Sequence, residues 1–375
     1  MTTPSEILPI ITASNGTKLT VEVRSTVFTA SSNTWGIGSN YPTVIELQHS
    51  GDASGRLLAS FEVADSGLAG RPTCFRIMES RDGGESWKKI SEVTETIDPS
   101  IEACWNPQLF ELSAPLGDLP EGTLLLAGVS IDPGQKVKSQ ISLWKSADHG
   151  ENWEQFSILC TGKGVEDGGV WEPFLWQEDG KLYCFYSDET MEGHDQAIVY
   201  RVTENGKDWS APVPVVAADN PAWRPGMVSI TKMGDQGYWM VYEVFGDWDG
   251  CPIYYKTSDS IADWNASEIG TQLIGQGGYY FGSAPGCIWT PIGGECGTLI
   301  VTAVYGKENP NRILLSFDYG KTFEAVDNPL PHTDGRGGYS ASLFLSADGK
   351  TIFYANNVDG KGEKSRIDFA RIEIE

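Results

Sequence analysis

Along the chain, apolar residues gather in short runs of strand length, and one phrase opens such a run six times. It reads Tyr41-Pro42-Thr-Val-Ile, Asn106-Pro107-Gln-Leu-Phe, Glu172-Pro173-Phe-Leu-Trp, Arg224-Pro225-Gly-Met-Val, Ala284-Pro285-Gly-Cys-Ile and, without the proline, Ser340-Ala341-Ser-Leu-Phe. A second apolar run follows each phrase and is led by glycine, at Gly55, Gly122, Gly180, Gly237, Gly297 and Gly349. These runs are rich in β-branched and aromatic residues and bounded by turn residues, so they read as strands. A third strand comes next, then a polar turn, and the unit repeats every ~50 to 65 residues, the period of a propeller blade. The pattern predicts an all-β chain built as a six-bladed β-propeller of four-stranded antiparallel blades. It makes residues 1–375 a single domain with no linker. The sixth repeat runs out after Arg366-Ile-Asp-Phe-Ala-Arg-Ile, whereas Lys18 to Phe28 reads as a strand without a blade. That N-terminal strand is expected to complete the last blade and remove its open edge.

The turns carry a second signature. Ser80-Arg-Asp82-Gly-Gly84-Glu-Ser-Trp87, Ser146-Ala-Asp148-His-Gly150-Glu-Asn-Trp153 and Ser316-Phe-Asp318-Tyr-Gly320-Lys-Thr-Phe323 fit Ser-x-Asp-x-Gly-x-x-aromatic. Glu204-Asn-Gly206-Lys-Asp-Trp209 is a decayed copy, and Thr257-Ser-Asp259 with Trp264 a further one. The motif resembles the Asp-box of sialidase-type propellers. In it Ser and Asp side chains satisfy turn amides, Gly supplies a positive φ and the aromatic packs between sheets. It bears on the fold and not on chemistry.

Composition narrows the partner. The 375 residues carry a formal net charge of −24, a field that repels nucleic acid and anionic membranes and suits a neutral or cationic small molecule or polymer. No window approaches a transmembrane length. Met1 to Pro9 lacks the charged and apolar regions of a signal peptide. Seven cysteines are scattered with no C-x-x-C pair, which argues against a metal site and leaves at least one thiol free. Cys287 and Cys296 fall on what read as adjacent strands, so one disulfide there and buried free thiols are both open. The sequons Asn15-Gly-Thr and Asn265-Ala-Ser add weak support for secretion. No cofactor is expected: metal-ligand spacing, a P-loop, a Rossmann fingerprint and a Gly-x-Ser-x-Gly elbow are all missing.

Propeller geometry restricts where a site can lie. First strands start at the upper mouth of the channel and second strands end there, whereas the Ser-x-Asp turns fall on the lower rim. The first-strand starts give Tyr41, Asn106, Glu172, Arg224, Ala284 and Tyr339-Ser340, with Trp105, Trp171 and Trp223 just before three of them. They differ in every blade, which points to one asymmetric site on the axis. The second-strand ends add Glu62, Ser187-Asp188 and Glu243. Glu172 and Glu243 belong to neighbouring blades and are flanked by apolar residues. Paired carboxylates are what glycoside cleavage needs, one to protonate the leaving oxygen and one to attack or to activate water. Trp105, Trp171 and Trp223 suit stacking on sugar rings, and Arg224 a substrate hydroxyl or a carboxylate. His194 falls on a mouth loop; His149 sits inside a turn motif and reads as structural.

Trp105-Asn-Pro-Gln-Leu-Phe-Glu-Leu112, Trp171-Glu-Pro-Phe174, Arg224-Pro-Gly-Met227 and Tyr242-Glu-Val244, together with six blades, resemble glycoside hydrolase family 93, the exo-α-1,5-L-arabinanases, over essentially the whole chain. The resemblance implies retaining hydrolysis of linear arabinan or arabino-oligosaccharides from the non-reducing end, with release of arabinobiose. It also implies two Glu catalysts, which map onto Glu172 and Glu243. Either residue could be the nucleophile; Glu172 as nucleophile and Glu243 as acid/base is the preferred assignment. The substrate-binding set is Tyr41, Trp105, Asn106, Trp171, His194, Arg224, Tyr339 and Ser340. A monomer is expected, and family members are typically secreted, which suits this chain if Met1 opens a trimmed mature form. Three rival readings remain, and one of them, a protein-interaction propeller, would show an apolar or charged top surface in place of a deep mouth. An Asp-box lectin would show blade-equivalent sugar pockets. A sialidase would show three converging arginines, of which only Arg224 falls at the mouth.

Overall fold

The computed structural model describes residues 8–30, 39–63, 74–132, 134, 137–165, 167–246, 251–306, 311–331, 338–358 and 365–375. Blade 1 is formed by Ser39–Glu46, Leu57–Val63, Cys74–Ser80 and Lys88–Val93, in that order from the axis outward. Blade 2 follows with Glu102–Glu111, Leu124–Ile131, Ser139–Ser146 and Glu154–Gly162, and blade 3 with Val170–Glu178, Lys181–Asp188, Ala197–Thr203 and Val213–Val216. Blade 4 comprises Arg224–Lys232, Tyr238–Phe245, Ile253–Ser258 and the short Thr271–Gln272, and blade 5 Gly286–Thr290, Thr298–Thr302, Arg312–Ser316 and Glu324–Asp327. Every pairing is antiparallel. A small extra sheet joins Ile274–Gly275 and Tyr279–Gly282, which precede blade 5 in the chain, to Tyr305–Gly306, which lies between the second and third strands of that blade.

Blade 6 closes the ring as expected from the orphan strand. Ser342–Leu345, Thr351–Val358 and Arg366–Ile374 are completed by Lys18–Thr29, with Ile10–Thr12 added as a fifth strand. Lys18–Thr29 pairs antiparallel with Arg366–Ile374 along its length, from Leu19 opposite Ile374 to Thr29 opposite Arg366.

The core is a set of layers between blades. One layer packs Leu58, Phe75 and Ile77 of blade 1 against Leu126 and Trp144 of blade 2. Another packs Phe185 and Ile198 of blade 3 against Met240 and Tyr242 of blade 4. The last joins Phe353 and Phe369 of blade 6 to Ala59 and Phe61 of blade 1. Each middle strand is therefore covered on both faces. That explains why Leu124–Ile131 is apolar but for Ser130 and is buried at all eight positions. Truncating one of its leucines to alanine removes packing worth ~2–5 kcal/mol.

The lower-rim turns bind the layers. Ser80 Oγ accepts from Gly84 N–H at 2.8 Å, and Asp82 accepts from Ser86 N–H at 2.9 Å and from Ser86 Oγ. Ser146 with Asp148 and Ser316 with Asp318 repeat this arrangement. The aromatic then reaches the preceding blade: Trp87 meets Phe369 edge-on, and Trp153 Nε1 donates to Ser91 Oγ. A disulfide between Cys287 and Cys296 does not form. Cys287 is buried on its strand beside Ser229 Oγ of blade 4, whereas Cys296 lies in the turn before Thr298. All cysteines with described side chains are free thiols; the Cys104 side chain is outside the described residues.

Candidate active site

At the upper mouth each first strand carries the same backbone irregularity. Tyr41, Asn106, Glu172, Met227, Ala284 and Ser340 all have left-handed φ, between 47° and 62°. In blades 1 to 4 they sit inside a β-bulge that interrupts the ladder, such as the one between Trp171 and Phe174. Non-glycine residues seldom adopt this conformation, and they persist in it where the surroundings hold them. Here the holding is visible. The left-handed N–H turns out of the ladder, and a side chain from the preceding blade accepts it. Asn106 N–H donates to Glu62 Oε1 at 2.8 Å, Glu172 N–H to Asn106 Oδ1 at 3.3 Å, Met227 N–H to Glu172 Oε2 at 2.7 Å and Ala284 N–H to Glu243 Oε2 at 2.7 Å.

This ring corrects one sequence expectation. In blade 4 the equivalent of Glu172 is Met227, three residues past Arg224. The bulge there falls between Gly226 and Ser229 and carries no proline. Arg224 stands higher, opposite Phe245, and its guanidinium is held by Glu189 Oε1 and, at 2.9 Å, by Gln196 Oε1. It is a half-buried ion pair, not a ring residue.

Glu172 and Glu243 come together as expected, from the first strand of blade 3 and the second strand of blade 4. Each has one oxygen held by an N–H and an O–H. Glu172 Oε2 accepts from Met227 N–H and from Ser187 Oγ at 2.7 Å; Glu243 Oε2 accepts from Ala284 N–H and from Ser283 Oγ at 3.0 Å. In each carboxyl both donors bond the same oxygen. Gly226 lies directly opposite Glu243 in the ladder. A β-carbon there would stand 3.0 Å from both Glu172 Oε2 and Ser187 Oγ and 2.6 Å from Gln196 Nε2. A larger residue there would push Gln196 and crowd Glu172 and Ser187. Burial, then the nearby Glu243, push the Glu172 carboxyl from 4.5 up to about 7. Burial raises Glu243 as well, against the pull of its two donors. Of the two, Glu172 is the one that the neighbouring acid also pushes toward holding its proton.

The other expected site residues divide. Tyr41 and Tyr339 cross the axis together, with hydroxyls 3.2 Å apart and rings edge-on at 5.3 Å, and Tyr41 Oη also touches Met227 Sδ. Burial raises both phenols well above their usual range, so they stay neutral donors. Ser340 holds the blade 6 place in the ring. Asn106 is buried and works as a cap on Glu172 N–H, leaving little of it to meet a ligand. Trp105 and Trp171 are neighbours, ring centres 5.7 Å apart, and remain partly exposed beside the mouth. His194 lies on the loop after the second strand of blade 3, its Nδ1 buried and unpartnered. Below the ring the channel opens into a cavity of about 410 Å³ that runs from Glu172 and Asn106 down to Gln48, His49 and Glu111. The structure also brings in Glu62, which the strand-end pattern flagged but which was not carried into the site. Its carboxyl is buried at the same second-strand position in blade 1 that Glu243 holds in blade 4.

No protein-family model matches the chain, and no curated protein matches it in sequence. Solved structures do. The chain is 28% identical to an α-L-arabinanase of Penicillium chrysogenum solved with arabinobiose, covering 93% of this chain and 98% of that one at a TM-score of 0.82. It is 27% identical to an α-L-arabinofuranosidase of Fusarium graminearum solved with an iminosugar inhibitor, over 94% of this chain and 98% of that one, TM-score 0.83. A structure of the family 93 α-L-arabinofuranosidase of F. graminearum with arabinobiose matches at 26% identity, with the same coverage and a TM-score of 0.82. By fold and by this likeness the chain stands with the propeller-type glycoside hydrolases. Its structural neighbours are the α-L-arabinanases and α-L-arabinofuranosidases of glycoside hydrolase family 93, as the sequence resemblance implied.

Proposed function

We propose that the chain is an exo-acting, retaining glycoside hydrolase that cleaves α-1,5-linked L-arabinan from the non-reducing end and releases arabinobiose, with Glu172 and Glu243 as its two carboxyl catalysts. The observation that carries this reading is the pair of half-buried carboxyls on adjacent blades, each with one oxygen fixed by an N–H and an O–H. Arabinan hydrolysis is further supported by arabinobiose in two of the similar structures.

In such a site the protonated carboxyl gives its proton to the leaving sugar oxygen while the ionised one attacks the anomeric carbon. The reaction needs one carboxyl of the pair protonated and the other ionised, and the raised Glu172 suits the protonated form. After the leaving sugar departs, the first carboxyl, now ionised, takes a proton from water as that water attacks the glycosyl–enzyme ester. The second carboxylate is released and the starting charge restored. The fixed oxygens matter for timing as well as place. A carboxyl already bonded at one oxygen reacts through the other without reorganising its surroundings.

Two features weigh against the rival readings. The six ring positions hold six different residues, whereas a lectin with a pocket in each blade needs equivalent ones. Arg224 is occupied by Glu189 and Gln196, and the net charge of −24 opposes an anionic sugar. The test is digestion of debranched arabinan with products followed from the first minutes. Arabinobiose as the sole early product is expected. A ladder of oligosaccharides, or untouched polymer, removes the exo-arabinanase reading.

A further inference from the structure

Glu62 and Glu243 occupy the same position on opposite blades of the ring, and both accept the left-handed N–H of the next blade. They differ in the second donor. In blade 5 the residue before Ala284 is Ser283, whose hydroxyl also bonds Glu243; in blade 2 the residue before Asn106 is Trp105, which has no hydroxyl to offer. Glu62 therefore has one donor on Oε1, and among the described residues nothing bonds Oε2. No lysine, arginine or histidine pairs with it among those residues. The titratable groups that face it are the phenols of Tyr41 from its own blade and Tyr339 from blade 6. It is 8% exposed at the mouth end of its strand.

We propose that Glu62 is a substrate-positioning residue that offers an O–H to a hydroxyl oxygen of the bound neutral sugar. An enclosed carboxyl that meets one neutral donor and, among the described residues, no cation holds its proton, and a carboxylic acid is a donor where a carboxylate can only accept. Burial pushes this carboxyl from 4.5 up to about 8, opposed only by the Asn106 N–H. A neutral Glu62 also keeps a third negative charge away from Glu172 and Glu243. The inference rests on the hydrolase reading for its substrate, but its protonation is testable without one.

The decisive variant is Glu62→Gln. Its carbonyl can still accept from Asn106 N–H, and its NH₂ mimics the donor face of the acid. Activity at pH 6 should stay within about threefold of wild type, whereas Glu62→Ala should lose about ten- to a hundredfold in kcat/KM, mostly through KM. Above pH 8 the wild-type profile should fall with two ionisations and that of Glu62→Gln with one. Inactivity of Glu62→Gln, full activity of Glu62→Ala, or an unchanged alkaline limb each overturns the proposal.

The second arm needs no sugar. Between pH 4.5 and about 8 the folded protein holds the Glu62 proton that the unfolded chain has lost, so this group's stabilisation declines as pH rises through that window. Wild type should accordingly lose Tm relative to Glu62→Gln from pH 5 to pH 8. A constant difference shows an ionised Glu62 and sinks the proposal. Absence of arabinan cleavage would instead sink the hydrolase reading and leave this arm readable.

Discussion

The two faces of the ring use opposite strategies with the same chain. On the lower rim the conformation and the residues both recur: Ser, Asp, Gly and an aromatic rebuild one turn and lean on the preceding blade. On the upper rim only the conformation recurs. Six left-handed residues stand in equivalent places, and they are Tyr, Asn, Glu, Met, Ala and Ser. The lower face is held by its own local bonds and has no freedom left. At the upper face the left-handed backbone is held by side chains from the blade before, so the acids that stabilise the ring are the acids that face the mouth. Fold and chemistry are separable below and shared above.

The largest test of this contrast is at the shared acids. Glu172→Gln and Glu243→Gln should each lower kcat by at least about a thousandfold with the fold retained, since each amide can still accept the N–H of the next blade. Residual activity near wild type in either removes that residue from the pair. Azide added to the alanine variants assigns the roles through the glycosyl azide formed: inverted configuration marks the nucleophile position and retained configuration the acid/base position. A smaller effect is expected at Gly226. Glycine→alanine there displaces Glu172 or Gln196 by a few tenths of an ångström to an ångström, and kcat should fall about ten- to a hundredfold with KM little changed. An unaltered kcat would mean that the mouth tolerates a wider spacing. The smallest effect on turnover belongs to the lower rim. Ser80→Ala removes the acceptor for Gly84 N–H and should cost ~1–2 kcal/mol in denaturant unfolding while leaving kcat unchanged. A loss of activity larger than the loss of folded protein would join the two faces that the structure separates.

Much of this was legible in the sequence, and the limits have physical causes. The strand runs, the turn motifs and the orphan strand Lys18 to Phe28 carry the fold because each is a local pattern repeated many times. Five of the six ring residues followed from the opening phrase. Blade 4 did not, because Arg224-Pro225 imitates the phrase three residues early, while the true bulge at Met227-Val228 lacks the proline and is fixed by a hydrogen bond from another blade. Gly226 was unreadable for a similar reason. Its φ is ordinary, and only the side chains of Gln196, Glu172 and Ser187 from blade 3 crowd the place of a β-carbon. Glu62 was visible as a strand-end acid; what the sequence lacked was the missing hydroxyl at Trp105, a difference that exists only once blades 2 and 5 are superposed.

The closure of blade 6 has a consequence for how the chain is made. Lys18–Thr29 pairs with Arg366–Ile374, and Lys18 and Glu375 exchange backbone hydrogen bonds. While the chain is being synthesised, the early strand must wait, unpaired along one edge, until residues more than 300 positions later have left the ribosome. Blades 1 to 5 can stack as they emerge, since their contacts are local. The final step alone is a long-range pairing, with the loop-closure entropy and slow rate that such pairings carry. Until then the nascent ring is an open arc with two exposed faces, and that interval is when it is most exposed to aggregation or to a second chain supplying the missing strand.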